Sequence, residues 1–212
     1  MRNLLVAAAV AALLPATANA AAFINGSFES GVPAGSYTTV NGGDSTSITG
    51  WTVTGGSVDY IGSYWAAQNG ERSIDLNGNS QGGIEQTFDT VAGGKYSVSF
   101  WLAGNPDGDP TTKSVLVGAN DNSSSLYTFD SAGFDKSNMG WANYTYNFVA
   151  TGTSTTLSFA SQDAGPYGAA LDNVALTFAG VPEPATWGLM ILGFGAVGGA
   201  MRRRNTARAA LA

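Results

Sequence analysis

Apolar and polar residues alternate with a period of two through most of this chain. Residues 95–103 (KYSVSFWLA) put Tyr96, Val98, Phe100 and Leu102 on one face, the pattern of a half-buried β-strand. Residues 141–149 repeat it with Tyr144, Tyr146 and Phe148. Residues 154–161 place Leu157 and Phe159 opposite Thr156, Ser158 and Ala160, and residues 172–178 place Val174, Leu176 and Phe178 together. Shorter strands are predicted at 51–54, 58–61, 73–76, 84–88, 114–117 and 126–129. Turn clusters divide them: Asn41-Gly42-Gly43-Asp44, Thr54-Gly55-Gly56, Asn77-Gly78-Asn79, Ala92-Gly93-Gly94 and the run 105–110 (NPDGDP). About ten strands at this spacing predict an all-β domain, a jelly-roll sandwich of two antiparallel sheets. No internal repeat of about 20–50 residues is present, which disfavours a propeller or solenoid.

The two ends break the pattern. Arg2, the apolar stretch 4–14, Pro15 and Ala18-Asn19-Ala20 follow the order of a secretory signal peptide, with cleavage expected after Ala20. Residues 185–201 form an uncharged stretch of 17 residues, the short end of what spans a bilayer as a helix. Arg202, Arg203 and Arg204 follow at once, and Arg208 lies just beyond; this is the positive-inside signal. Both ends predict one topology, with the body exported and the tail in the cytoplasm. Gly195 and Gly199 form a G-x-x-x-G pair. With five glycines in the stretch, small-residue composition explains the pair as well as a helix contact does. The expected organisation is a signal helix over 1–20, a β-sandwich over 21–180, and a C-terminal signal over 181–212 with a transmembrane helix at 185–201.

Composition then narrows the chemistry. The chain has 212 residues, 29 of them Gly, with no Cys, no His and only 11% charged residues. There is no disulfide scaffold, thiolate metal site, Cys nucleophile or His general base. The formal net charge of −6 hides an asymmetry: the body carries 4 basic residues and 14 of the 15 acids, a balance of −10. That sign disfavours nucleic acid as a partner. The missing Cys is no sign of a reducing compartment, because the signal peptide sends the body outside.

The segment Val181-Pro182-Glu183-Pro184-Ala185-Thr186-Trp187, then Met190-Ile191, Gly193-Phe194-Gly195 and the arginine run, resembles the PEP-CTERM sorting signal of Gram-negative bacteria. The resemblance implies processing by an exosortase near Pro182-Glu183-Pro184, transient residence in the inner membrane, and release or attachment at the cell surface beside exopolysaccharide. The residues supply a rationale. Two prolines keep the segment extended, and Glu183 between them offers a charge to a basic pocket. The body also resembles a known family. Asn25-Gly26-Ser27-Phe28-Glu29 opens it, and residues 171–176 (LDNVAL) close it. Residues 70–76 (GERSIDL), 83–88 (GIEQTF), Gly104-Asn105-Pro106 and Met139-Gly140-Trp141 stand between. This order is similar to the choice-of-anchor C family of bacterial surface proteins, with a galactose-binding-like jelly roll. It implies cell-wall or polysaccharide association rather than a reaction.

In jelly-roll carbohydrate modules, the resemblance implies, a structural Ca²⁺ sits between the opening Phe-Glu and the closing Asp, here Glu29 and Asp172. Calcium takes carboxylate and carbonyl oxygens; Asn25 and Asn173 are possible further ligands, and surface acids at strand ends are the bland alternative. Asp107, Asp109 and Asp121 lack the remaining ligands of an EF-hand and read as a solvated turn. For sugar binding, an aromatic platform with a few polar contacts is expected. Its candidates are Trp51, Tyr60, Tyr64, Trp65 and Tyr167, with the aromatic loop 60–65 (YIGSYW) foremost and burial in the core as the alternative. Glu71, Asp75 and Glu85 are the acids for glycoside hydrolysis. With no nucleophile motif or metal triad beside them, the expectation is a non-enzyme. Three sequons, at Asn25, Asn122 and Asn143, are incidental in a bacterial protein. The resulting expectation is a surface protein that binds polysaccharide, or a matrix protein without a sugar site.

Overall fold

The computed structural model describes residues 22–120, 124–180 and 194. The predicted signal peptide, the Pro182-Glu183-Pro184 motif, the predicted transmembrane helix apart from Phe194, Asp121 and the Asn122 sequon lie outside the described residues. Among the described residues no helix is long and apolar enough to cross a membrane.

Eleven strands make up the described fold: β1 Tyr37–Asn41, β2 Thr52–Gly55, β3 Ser57–Ile61, β4 Ser73–Asp75, β5 Gly82–Asp89, β6 Lys95–Gly104, β7 Thr112–Ala119, β8 Ser125–Asp130, β9 Ala142–Val149, β10 Ser154–Ser161 and β11 Ala169–Gly180. Ten of them fall where the alternation predicts. The exception is β1 (YTTVN), in which only Val40 is buried, so no apolar period marks it.

The strands form a six-stranded sheet in the order β1-β3-β4-β11-β6-β9 and a five-stranded sheet in the order β2-β5-β10-β7-β8. Every pairing is antiparallel. From β4 onward the chain alternates between sheets, crossing at each step except β7 to β8. The result is two interleaved four-strand layers, β4-β11-β6-β9 and β5-β10-β7-β8. That interleaving is the jelly roll. β1 and β3 extend the first layer beyond β4, and β2 extends the second beyond β5.

The core fills the space between the sheets. Val98, Phe100 and Leu102 of β6 meet Val115 and Val117 of β7, Ile84 and Phe88 of β5, and Leu157 and Phe159 of β10, all buried. Phe100 and Phe159 pack edge to face at 5.2 Å. With no disulfide available, this aromatic and aliphatic interior is the main source of stability. The strands run between two poles. β6 spans about 30 Å at roughly 3.3 Å per residue, starting beside Gly180 at one pole and ending at Gly104 at the other.

Candidate functional site

The outward face of the six-stranded sheet is where the chemistry collects. Register places Thr39 opposite Asp59 and Asp59 opposite Asp75 across β1, β3 and β4. Val58, Tyr60 and Ile74 alternate inward to the core, so the three polar side chains form a row on the other face. Such a face is ordinarily wet. Here it is roofed, and Asp75 is fully buried.

One part of the roof is the loop 62–72, which carries Tyr64 and Trp65. Two carboxylates pin it. Asp172 Oδ2 accepts the backbone N–H groups of Gln68 and Asn69 at 2.8 and 2.9 Å. Glu29 Oε1 accepts those of Glu71 and Arg72, both at 2.9 Å. Trp65 Nε1 donates to Ser73 Oγ at 2.8 Å, and Trp141 Nε1 holds the Ala66 carbonyl at 3.0 Å. Gly70 permits the path: its φ is +65°, and a Cβ there would stand 2.3 Å from Glu29 Oε1.

The other part comes from the segments after β6 and β10. Lys113 Nζ ties them together by donating to the carbonyls of Gly108 and Tyr167, both at 2.8 Å. Asn77 Nδ2 holds the carbonyls of Asp163 and Gly165. Asp75 sits beneath. It accepts N–H groups from Asn77 and Gly168 on Oδ1 and the Asn105 amide on Oδ2 at 2.7 Å. Burial pushes its pKa up to about 8. Burial also raises Asp59, against a hydrogen bond from Thr39 at 2.6 Å.

Between the two parts of the roof lies a pocket of about 260 Å³. Thr39, Asp59 and Asp75 form its floor; Tyr37, Tyr64 and Tyr167 its aromatic walls; Asn79, Asn105 and Asp107 its polar rim. Tyr37 and Tyr167 are exposed, and Tyr37 meets Tyr64 edge to face at 5.1 Å. Tyr64 is fixed by its hydroxyl, which donates to Asp107 Oδ2 at 2.5 Å, and by Lys136 Nζ, 3.9 Å above its ring. Lys136 also pairs with Asp107 at 2.9 Å. Burial works against Asp107's charge, but the Tyr64 and Lys136 hydrogen bonds win and hold its pKa below the usual value. A larger groove of about 470 Å³ opens at the opposite pole against Tyr96, Phe148 and Ala179. We place the site in the smaller pocket, because three tyrosines and a row of half-buried and buried polar side chains converge there.

Several sequence expectations need correction. Trp51, Tyr60 and Trp65 are 1%, 0% and 4% exposed and belong to the core, so they form no platform. Trp51 Nε1 donates to the Asn25 carbonyl at 3.0 Å, and the Tyr60 hydroxyl to the Phe28 carbonyl at 2.5 Å. Tyr64 and Tyr167 alone of the five reach the pocket with exposed surface. Glu29 and Asp172 converge on the 62–72 loop. Glu29 Oε1 and both Asp172 oxygens accept backbone N–H groups, so the pair acts as an anchor of the 62–72 loop. Among the described residues no group of three or more Asp or Glu side chains converges on one point. Glu71, Asp75 and Glu85 are not brought together: β4 and β5 lie in different sheets, and Glu85 stands opposite Thr52 and Ser158 on the second one. Thr39, Asp59, Asn79, Asn105 and Tyr37 were not foreseen. Asp59 carried a signal, since it alternates with buried neighbours, but its partner strand β1 did not.

Fold and site together define an all-β jelly roll with a loop-roofed polar pocket, followed by a C-terminal sorting segment. The chain belongs to the family described as "Protein of unknown function (DUF642)", which it matches over residues 21–177. The resemblance to choice-of-anchor C proteins is compatible with this membership. Residues 180–204 match the PEP-CTERM protein-sorting motif, which marks export to the cell envelope or surface. Halomucin of Haloquadratum walsbyi (strain DSM 16790 / HBSQ001) is 35% identical over 136 residues, 63% of this chain but 1% of halomucin. The chain thus spans only about a hundredth of that relative's length. Among solved structures, TmCBM61 in complex with β-1,4-galactotriose is similar at 16% identity and a TM-score of 0.44, over 74% of this chain and 98% of that one. CBM35 from Paenibacillus barcinonensis is similar at 20% identity and a TM-score of 0.44, over 66% and 98%.

Proposed function

We propose that this protein is a non-catalytic polysaccharide-binding module of the cell envelope or surface, and that it holds saccharide in the pocket above Asp59 and Asp75. The observation that carries this reading is the convergence of Tyr37, Tyr64 and Tyr167 with Thr39, Asp59, Asn79 and Asn105 around one cavity. Tyrosine rings offer faces for pyranose C–H surfaces, and amides, hydroxyls and carboxylates take sugar hydroxyls. The cavity is near the small end of the range for ligand sites, roughly 300–1,000 Å³, so it suits one or two sugar rings. It lies at the pole where β6 ends, remote from Gly180, where the sorting segment begins.

A reading as glycoside hydrolase has one feature in its favour, the adjacent carboxylates Asp59 and Asp75. Against it, both oxygens of Asp75 are engaged by three N–H donors and the side chain is fully buried, so it has no path to a glycosidic oxygen. The test is retention of the full chain on immobilised glycans. Binding is expected, and Tyr64→Ala or Tyr167→Ala should weaken it about tenfold or more, the effect of losing a central aromatic contact. Absence of retention by folded protein on every polysaccharide leaves the purely structural matrix role. Reducing-sugar release that disappears in Asp59→Asn restores the hydrolase.

A further inference from the structure

The charges around the pocket carry a second conclusion, which rests on the sugar-binding reading: we propose that the pocket admits uncharged saccharides and rejects acidic ones, with Asp59 as the residue that sets this preference.

The floor is rich in acceptors and poor in cations. Asp59 is half-buried, and its hydrogen bond is to the neutral Thr39 hydroxyl. Lys136, at the rim, pairs with Asp107 rather than with Asp59. Asp75 stands next to it in register, with both oxygens occupied. Behind Asp75, the Oδ1 of fully buried Asn77 has no donor at all. A ligand entering here meets the Asp59 carboxylate, and it satisfies that acceptor by donating from a hydroxyl group.

The two lysines nearby are already engaged. Lys136 sits at the rim, tied to Asp107 and to the face of Tyr64. Lys113 is buried, and two of its ammonium protons are donated to the Gly108 and Tyr167 carbonyls of the roof. A uronate or sulfate would therefore bring its charge toward Asp59 without a free cation to receive it. Like charges placed together in a binding site oppose binding, and this is a standard route to selectivity. A hydroxyl at the same position donates to Asp59 instead.

The test compares one backbone with and without charge. Binding of the full chain is measured against β-1,4-galactan, β-glucan and α-mannan, each also oxidised at C6 to its uronate, and against polygalacturonate. The expected result is that a neutral member binds and that its C6-oxidised form binds at least tenfold more weakly at low salt. That gap should narrow in high salt. Asp59→Asn removes the charge while keeping an acceptor for Thr39, so whatever it costs neutral binding, the ratio of neutral to oxidised binding should fall most of the way to one. Oxidised forms or polygalacturonate binding as well as the neutral polymers would overturn the charge preference. An unchanged gap in Asp59→Asn would remove Asp59 as its cause. Failure of every member, neutral and acidic, would instead defeat the sugar-binding reading.

Discussion

Asp75 gives the sharpest energetic prediction. In the fold its pKa stands at about 8, against 3.8 for the free side chain, because burial penalises the charged form more than three N–H donors relieve it. The folded chain therefore holds this proton more tightly than the unfolded chain. The resulting stabilisation is fully present below about pH 4 and is lost as pH rises through about 8. A shift of about four units at roughly 1.4 kcal/mol per unit gives a ceiling of about 5–6 kcal/mol, of which about 4 falls between pH 5 and 9. At roughly 2–4 °C per kcal/mol for a domain of this size, the melting temperature should drop by about 8–16 °C over that interval. Asp172, raised by burial to about 7, adds in the same direction. In Asp75→Asn the pH dependence should shrink to that of the other carboxylates raised by burial, Asp172, Asp59 and Asp163. At pH 5 the variant should melt lower than wild type, because its new amide opposes the Asn105 amide and leaves donors unpaired at a cost of about 1–3 kcal/mol. At pH 9, where wild type buries a charge, the variant should equal or exceed it. Calorimetry of the full chain across pH at fixed ionic strength measures both curves. A wild-type melting temperature that is flat or rises from pH 5 to 9 would show that Asp75 is ionised at little cost, and the reasoning would fail.

Gly70→Ala should destabilise by about 1–2 kcal/mol, since it forces a side chain into φ +65° and against the Glu29 carboxylate; a denaturant midpoint equal to wild type would dismiss Glu29 as a loop anchor. If backbone N–H groups alone hold Glu29 and Asp172, a chelator should leave the melting temperature unchanged; a fall of several degrees would place calcium between them. The sorting motif over 180–204 predicts that mass spectrometry of the surface-released protein finds no peptide beyond the Pro182–Pro184 region. Peptides from residues 188–201 in that fraction would show that processing does not occur.

The sheets were legible because burial on one face imprints a period of two on the sequence, and ten strands carried that imprint. β1 did not, since it lies at a sheet edge with one buried residue in five. The aromatic residues were harder. A sequence shows which rings are present but not which side of a loop they take. Trp51 and Trp65 use their indole N–H groups inside the protein, while Tyr64, one residue before Trp65, turns outward. The pocket floor depended on the pairing of β1, β3 and β4, strands distant in composition from any motif. Glu29 and Asp172 were found as a pair in the sequence, but their partners are backbone N–H groups of a loop, and loop paths are not written in residue types. The opening and closing motifs thus mark where the chain ends pin the 62–72 loop.

Hydrogen exchange locates a bound saccharide as well as detecting it. The full chain is exchanged alone and with whichever of β-1,4-galactan, β-glucan and α-mannan fragments it binds. The account predicts added protection in residues 62–68, 105–109 and 166–168, with the pole around Lys95, Val149 and Ala179 unchanged. Protection confined to that opposite pole, or spread over the outer face of the five-stranded sheet, would contradict it.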